Sequence, residues 1–354
     1  MIQLSVTDII DKTKRNGKIS PEEIAELLSV REEDEISALF SAAGSVRDRV
    51  FGNKVFVYGF VYFSTHCRNN CAFCYYRRMN RLPRYRKTAD EVLSLSGSLK
   101  DAGINLVDLT MGEDPLMCAD DYNELLGIVR RVRDEVDISI MVSPGAVPER
   151  IFSKFKDAGA DWFACYQETY NKELFSKLRL EQDFDHRLNQ KIWAKKAGLL
   201  AEDGIMVGLG ETLRDRADSI VKMGAIGCQQ MRAMTFVPQK GTPMENVRPT
   251  EPIDELVSIA VMRLLYPDRL IPASLDVEGI AGLKTRLDAG ANVITSIVPP
   301  NEDLAGVAQH ELDIENGHRS VAHVLRLLDE MGRKAATNTE YESLLRKLKA
   351  GGTR

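Results

Sequence analysis

The sequence predicts an α/β fold, a parallel (βα)8 barrel of the TIM type with an N-terminal helical extension. Eight short runs rich in β-forming residues alternate with amphipathic helical patterns. Several of these patterns end in a Gly just past the last apolar position, which is a typical helix stop. The 354 residues suffice for such a barrel, which takes about 250. Eight repeats of strand and helix favour a closed barrel over an open doubly wound sheet.

The order of the elements follows from the spacing of apolar residues, which differs between strands and helices. The eight predicted strands span residues 55–63, 106–110, 138–142, 162–166, 205–209, 230–237, 270–274 and 292–298. Between them, helices are predicted over residues 89–102, 121–136, 148–158, 184–201, 213–223, 253–265 and 280–289. Active sites of such barrels lie at the carboxyl ends of the strands, so polar residues that follow each strand are the candidates.

The two ends of the chain predict additional helices. Residues 6–14 form one predicted helix, and a second begins after Ser20, with Pro21 and Glu23 at its first and third positions. Near the other end, residues 319–331 predict an amphipathic helix, and the charged terminus beyond it is expected to fray. The predicted organisation is an N-terminal extension (1–50), a barrel (51–300) and a C-terminal helical segment (301–354).

Composition and charge narrow the class of protein. Hydrophobic residues make up 44% and charged residues 28%, as in soluble globular enzymes. A net charge of −5 offers no basic surface for phosphate backbones, so we expect small substrates and no nucleic acid. No run reaches the ~18 apolar residues of a membrane span, and the first residues lack a signal-peptide pattern, so we expect a cytoplasmic protein without membrane contact.

Three of the six cysteines form a C-x3-C-x2-C array after the first predicted strand. They are Cys67, Cys71 and Cys74. Three thiolates can hold an iron–sulfur cubane and leave one iron open to another ligand. A structural zinc site is the alternative, but it needs four ligands, and His66 is expected on the opposite face from its neighbour. The scattered Cys118, Cys165 and Cys228 are expected to be small buried side chains.

Polar groups follow two of the predicted strands. Gly112 and Glu113 follow the second strand. A Gly there lets the backbone approach a ligand, and a carboxylate can bind an ammonium group. The alternative is a simple turn. Glu168 follows the fourth strand and can accept hydrogen bonds from ribose hydroxyls; a helix cap by Thr169 is the alternative.

Two arginines lie eight residues apart beyond the fourth strand. If one helix carries both, Arg179 and Arg187 share a face near the end of that strand. The alternative interpretation is that they are solvated helix charges.

Three charged residues interrupt otherwise apolar strands. They are Asp108, Arg232 and Asp276. Burial without partners costs several kcal/mol for each, so either they pair with one another or they line a pocket. One guanidinium and two carboxylates complement an α-amino acid that carries a second amine.

The cysteine array, with Phe73 before its last cysteine, resembles the radical S-adenosylmethionine (SAM) superfamily. The strings CAFCY, MGED, QET, FDHRLN and GIMVGLGET resemble its biotin synthase and hydrogenase-maturase branch. Within that branch, the longer strings YFSTHC, VDLTMGEDP, TFVPQKGTP and LIPASLDVEGI resemble the methylornithine synthase family of pyrrolysine biosynthesis. The resemblance extends over nearly the whole chain.

The resemblance implies a role for each matching residue. Cys67, Cys71 and Cys74 would be the catalytic cysteines that bind a [4Fe–4S] cluster. The residues implied to contact SAM are Tyr75 through its backbone at adenine, Gly112 and Glu113 at the amino group, Glu168 and Arg187 at the ribose and carboxylate, and Ser143 and Arg179. The residues implied to surround the amino acid are Asp108, Arg232, Ser274 and Asp276.

The resemblance also implies a reaction, the isomerisation of L-lysine to (3R)-3-methyl-D-ornithine. A 5′-deoxyadenosyl radical made from SAM would remove a side-chain hydrogen, the Cα–Cβ bond would break, and recombination one carbon along would give the branched skeleton. Returning the hydrogen would make SAM a true cofactor. The implied partners are L-lysine and an electron donor such as a flavodoxin or ferredoxin.

Other activities remain open at this point. Biotin synthase needs further cysteines on the second and fifth strands, where this chain has Thr110 and Glu202, so sulfur insertion is disfavoured. A hydrogenase maturase or amino-acid lyase is the nearest enzymatic alternative. A noncatalytic iron–sulfur or zinc scaffold is the alternative from another class of protein.

Overall fold

Eight parallel strands form a nearly closed barrel. The computed structural model describes residues 5–15, 17–299, 304 and 319–351. Strands β1–β8 span Lys54–Ser64, Leu106–Met111, Ser139–Ser143, Trp162–Ala164, Leu200–Val207, Gln230–Thr235, Pro272–Ser274 and Val293–Ile297. Their order is β6-β5-β4-β3-β2-β1-β8-β7, and a parallel bridge between Gln230 and Leu270 brings β6 beside the chain that enters β7. The predicted (βα)8 architecture is confirmed.

Helices surround the barrel on its outer face. Helices α1–α13 span Val6–Lys14, Pro21–Leu28, Glu33–Phe51, Ala89–Asp101, Asn123–Arg131, Ile151–Asp157, Lys172–Leu178, Phe184–Lys196, Leu213–Ile226, Pro252–Leu265, Leu283–Asp288, Val321–Glu330 and Asn338–Lys349. The main core lies between strands and helices, where the strands contribute almost continuous buried runs, as parallel strands do. None of the helices in the described ranges has the length and apolarity that a membrane span requires.

The predicted helix over residues 184–201 is wrong at its carboxyl end. Helix α8 ends at Lys196, and Gly198 adopts a φ of 83° that ends the helical path. Strand β5 then begins at Leu200, five residues before its predicted start. Residues 200 and 201, predicted as helix, therefore lie in a buried strand together with residues 202 and 203.

Both termini contain more structure than the sequence predicts. The N-terminal extension has three helices and not two, of which α2 and α3 pack on α9 and α10. The capping box at Ser20 and Glu23 is confirmed. The expectation of a frayed tail is wrong for α13, which a capping box at Thr337 starts; residues 352–354 lie outside the described ranges.

Helix α13 closes the amino-terminal end of the barrel. Its Tyr341 is 1% exposed and lies between the rings of Phe56 and Tyr58 of β1. The indole nitrogen of Trp162 in β4 donates a hydrogen bond of 3.0 Å to the Tyr341 hydroxyl. With this end filled, the cavities of the barrel interior lie toward the carboxyl ends of the strands, where a barrel places its active site.

Candidate active site

The loop after β1 brings the three array cysteines to one cavity. Cys67, Cys71 and Cys74 all line it, together with residues that follow β2, β4, β5 and β6. We call this space the upper cavity. Main-chain contacts fix the loop: Arg68 N donates to Glu113 O at 3.0 Å and Ala72 N donates to Leu178 O at 2.7 Å.

Without a cluster, the surroundings of Cys67 and Cys74 favour the neutral thiol. Burial raises the pKa of Cys67 to about 11, and burial raises the pKa of Cys74 further, with the neighbouring array cysteines adding to the shift. Metal binding deprotonates a coordinating thiol outright, so a cluster would reverse this preference. The side-chain amide of Gln182 donates to Cys71 Sγ at 3.1 Å, and an Arg179 nitrogen lies 3.6 Å from the same sulfur.

The array is not arranged around a single ion. In the described ranges, no three His, Cys, Asp or Glu side chains are placed to bind one metal ion together. The thiolates of a cubane bind different irons, so a cluster does not require the three sulfurs to meet at one point. His66 does not line the upper cavity.

Gly112 permits the close approach of the β2 end to the array loop. A Cβ at this position would lie 2.3 Å from His66 O and 2.9 Å from Cys67 Cβ. Beside it, Glu113 is 6% exposed; its carboxylate accepts hydrogen bonds from Ala146 N at 2.9 Å and from Arg68 Nε at 3.1 Å. The two residues thus place a backbone edge and a carboxylate on the wall of the upper cavity.

Glu168, Arg179 and Arg187 also line the upper cavity, and Arg187 lies 3.8 Å from the Glu113 carboxylate. Glu168 adopts a φ of 67°, which is uncommon for a residue with a side chain, and its carboxylate pairs with Arg179. One helix does not carry both arginines, so the condition for a shared helix face is not met. Arg179 caps the end of α7, whereas Arg187 lies in α8, because the intervening turn has Glu181 at a φ of 64°. Both guanidinium groups are buried and reach the upper cavity.

Tyr75 is placed differently from the other residues implied to contact SAM. It is not among the residues that line the upper cavity, whereas the adjacent Cys74 and Tyr76 are. Its carbonyl oxygen accepts a hydrogen bond of 2.8 Å from the side chain of Asn80. The adenine contact implied for its backbone stays a prediction.

A second cavity continues from the upper cavity into the barrel. We call it the inner pocket; the two spaces share Thr110, Ser143, Tyr166 and Met234 in their walls. The four residues implied to surround an amino acid, Asp108, Arg232, Ser274 and Asp276, all line the inner pocket. They come from β2, β6 and the end of β7, and are brought together only by barrel closure.

The charges of the inner pocket are paired, but not as the sequence suggested. Arg232 Nε donates to Glu202 at 2.8 Å, and the guanidinium lies 5.4 Å from the centre of the Tyr166 ring. Asp276 lies 3.0 Å from a nitrogen of Arg319. The described residues therefore do not show Arg232 paired directly with Asp108 and Asp276, which was one of the two alternatives.

Asp108 has an unusual environment for a carboxyl group. Desolvation in the barrel interior raises its pKa to about 7, while the Ser143 hydroxyl, which donates to it at 2.6 Å, lowers it. Nearby Glu202 adds to the rise, and Arg232 opposes it. The group is thus poised to ionise when a cation enters the pocket.

Two charged residues of this region were not predicted to belong to the pocket. Glu202, in β5, is fully buried and lines the inner pocket; its Oε2 atom has no hydrogen-bond partner in the part of the chain that the structure describes. The adjacent acids Glu202 and Asp203 in an apolar run were the available signal. Arg319 is distant in sequence and had no such signal.

Comparisons with known proteins agree with this geometry. Residues 61–222 match the radical SAM superfamily. The chain is 43% identical over 335 residues to a 3-methylornithine synthase of Methanosarcina barkeri, covering 95% of each protein. It is 41% identical over 350 residues to that of Methanosarcina acetivorans, covering 98% of this chain and 100% of the relative. A crystal structure of methylornithine synthase (PylB) superimposes with a TM-score of 0.91 at 43% identity, covering 95% of this chain and 99% of the other.

These similarities extend over both the upper cavity and the inner pocket, since they cover nearly the full length of the chain. The chain therefore belongs to the radical SAM superfamily and, within it, to the family of the 3-methylornithine synthases.

Proposed function

We propose that this protein is a methylornithine synthase that isomerises L-lysine to (3R)-3-methyl-D-ornithine, with a [4Fe–4S] cluster and SAM as cofactors. One observation supports this most strongly. The cavity lined by three cysteines opens, through Thr110, Ser143, Tyr166 and Met234, into a buried pocket that carries one guanidinium and several carboxylates. A cofactor and an amino acid can thus occupy adjoining spaces within one barrel.

The upper cavity holds the cofactors in this proposal. Cys67, Cys71 and Cys74 bind the cluster. When bound, the cluster and SAM supply a 5′-deoxyadenosyl radical, and the protein positions and shields it. The contacts to SAM come from Gly112 and Glu113 at its amino group, Glu168 and Arg187 at its ribose and carboxylate, Tyr75 at adenine, and Ser143 and Arg179.

The inner pocket matches the charges of lysine. The guanidinium of Arg232 binds the carboxylate, and Asp108, Asp276 and Glu202 accept hydrogen bonds from the two ammonium groups. Ser274, 3.2 Å from the hydroxyl oxygen of Ser296, adds a neutral polar contact. A neutral side chain in place of the second amine would leave buried carboxylates unpaired, which disfavours such substrates.

Apolar side chains separate the reacting region from water. Met234 and Phe236 are buried, Tyr166 is half-buried, and all three line the upper cavity. Exclusion of water and oxygen protects a radical from side reactions. An iron–sulfur centre with free cysteines also requires a reducing compartment, so we propose a cytoplasmic location.

Anaerobic turnover tests this function. Protein reconstituted with iron, sulfide, SAM and a reductant should convert uniformly 13C-labelled L-lysine into a branched isomer, followed by NMR. The Cys71→Ala variant should lose turnover, while Cys118→Ala, a matched change outside the array, should retain it. Unchanged lysine would refute the substrate, and turnover by Cys71→Ala would refute the cluster assignment.

A further inference from the structure

The C-terminal segment re-enters the barrel immediately before α12. There Arg319 is 1% exposed, and its carbonyl oxygen accepts a hydrogen bond of 3.1 Å from Val298 N, just beyond β8. The side chain lies behind the ends of β7 and β8. It does not itself line the inner pocket.

Arg319 contacts two residues that do line the inner pocket. Its Nε donates a hydrogen bond of 2.9 Å to Ser296 O, and its Nη2 lies 3.0 Å from Asp276 Oδ1. Ser296 adopts a φ of 66°, a conformation that residues with side chains rarely keep without support from their surroundings. One guanidinium thus fixes both a pocket carboxylate and a constrained main-chain segment.

The contact between Arg319 and Asp276 is stabilised by charge more than by a well-aligned hydrogen bond. Neither terminal nitrogen of Arg319 makes a hydrogen bond of good geometry within the part of the chain that the structure describes. A fully buried guanidinium requires a nearby negative charge, and Asp276, 2% exposed, provides it at ion-pair distance. Removing the guanidinium would leave the carboxylate buried without this partner.

We infer that Arg319 is a positioning residue of the inner pocket, through which the C-terminal segment takes part in substrate selection. It holds Asp276 and Ser296 in the arrangement that receives the amino acid, without touching the substrate. The inference rests on the proposed function, because Asp276 is assigned there to an ammonium group of lysine. The competing view is that Arg319 only fastens the C-terminal segment to the barrel.

Steady-state kinetics of the reconstituted holoenzyme distinguish these views. Arg319→Gln should raise the KM for lysine on the order of 30-fold, as expected when one partner of a buried charge pair is truncated. The Kd for SAM should change less than about twofold, because Arg319 does not contact the upper cavity. Arg319→Lys, which keeps the charge, should recover most of the lost affinity for lysine.

A double-mutant cycle separates positioning from general structural support. If Arg319 acts through Asp276, then Arg319→Gln in an Asp276→Asn background should change KM by less than about threefold. The matched control is Arg263→Gln. Arg263 is equally buried but donates to Gly290 O and Asn292 Oδ1 in the outer wall, so its loss should lower Tm and leave KM unchanged.

Each outcome bears on a different claim. Wild-type protein that does not convert lysine overturns the proposed function, whatever the variants do. If wild-type protein is active and Arg319→Gln has an unchanged KM for lysine, only the positioning role is overturned. The same holds if Arg319→Gln and Asp276→Asn raise the KM independently, so that the double variant shows the product of their separate effects. If Arg319→Gln does not fold, Arg319→Met, which removes the charge and keeps the length of the side chain, replaces it in the test. An unchanged KM for lysine in Arg319→Met also overturns the positioning role.

Discussion

Asp108 shows how the surroundings of a side chain, above all its desolvation, set its protonation state. Its pKa of about 7 means that the folded protein binds a proton there at pH values where an unfolded chain, with a pKa of 3.8, has lost it. Stability that depends on this proton is complete below pH 4 and is lost as the pH rises through about 7. The substitution Asp108→Asn removes this titration but keeps an oxygen that can accept from Ser143.

We therefore expect the free energy of unfolding of Asp108→Asn, relative to that of wild type, to increase between pH 5.5 and about 7 by at most ~2 kcal/mol, and to stay level from there to pH 8.5. The measurement is urea unfolding of anaerobic holoenzyme without lysine at several pH values. Ser143→Ala serves as a second variant; it removes a hydrogen bond that favours the ionised form, so its loss of stability should grow with pH. A difference between Asp108→Asn and wild type that does not vary with pH would contradict this account of the pocket.

The sequence identified those residues that stand out against an apolar background. Asp108, Arg232 and Asp276 were found because a charge inside an apolar strand demands an explanation. Their partners were not found, since the pairs Arg232–Glu202 and Asp276–Arg319 depend on which strands and segments become neighbours. The SAM contacts at Tyr75, Gly112, Glu113, Ser143, Glu168, Arg179 and Arg187 stay predictions.

At the scale of elements, strands were predicted better than helix ends. Strands buried on both faces leave continuous apolar runs, so all eight were located from the sequence. The turn between α7 and α8 was not, because Glu181 takes a positive φ without the usual Gly or Asn signal. The division into segments 1–50, 51–300 and 301–354 stays a prediction, and its second boundary lies outside the described residues.

The segment that follows the array is the most cationic element near the cluster site. Residues 77–87 contain five arginines and one lysine and no acid, although the chain as a whole carries a net charge of −5. Arg81 is exposed, and Met79 beside it is 66% exposed. Since Arg78 pairs with Glu181 and Arg86 with Asp114, Arg81 is the cation of this segment that we expect to meet an acidic one-electron carrier, such as a flavodoxin or ferredoxin.

For this surface we expect Arg81→Glu to slow turnover driven by purified flavodoxin by about tenfold at low salt, through weaker electrostatic steering. Turnover driven by dithionite, a small reductant, should not change. The control is Arg326→Glu, the same change in charge on α12, which packs against the short strand β9 (Lys334–Ala335) far from the array. Equal losses in both variants, or a loss with dithionite, would rule out this docking surface.

At the scale of the whole molecule, barrel closure is what creates the site. The array follows β1, Glu168 follows β4, Arg232 lies in β6 and Asp276 follows β7, so distant parts of the chain meet only at the carboxyl end of one barrel. Helix α13 fills the opposite end, and Arg319 joins the C-terminal segment to the inner pocket. We therefore expect the two cavities to act as one reaction space.

Transfer of hydrogen between the two ligands would reveal such a shared space. Reconstituted protein is incubated without oxygen with SAM, a reductant and side-chain-deuterated L-lysine, and the 5′-deoxyadenosine recovered from quenched samples is analysed by mass spectrometry. Adjoining cavities predict deuterium in the 5′-deoxyadenosine and in SAM re-formed from it. Nucleoside that forms without acquiring deuterium, while lysine is bound, would contradict the account.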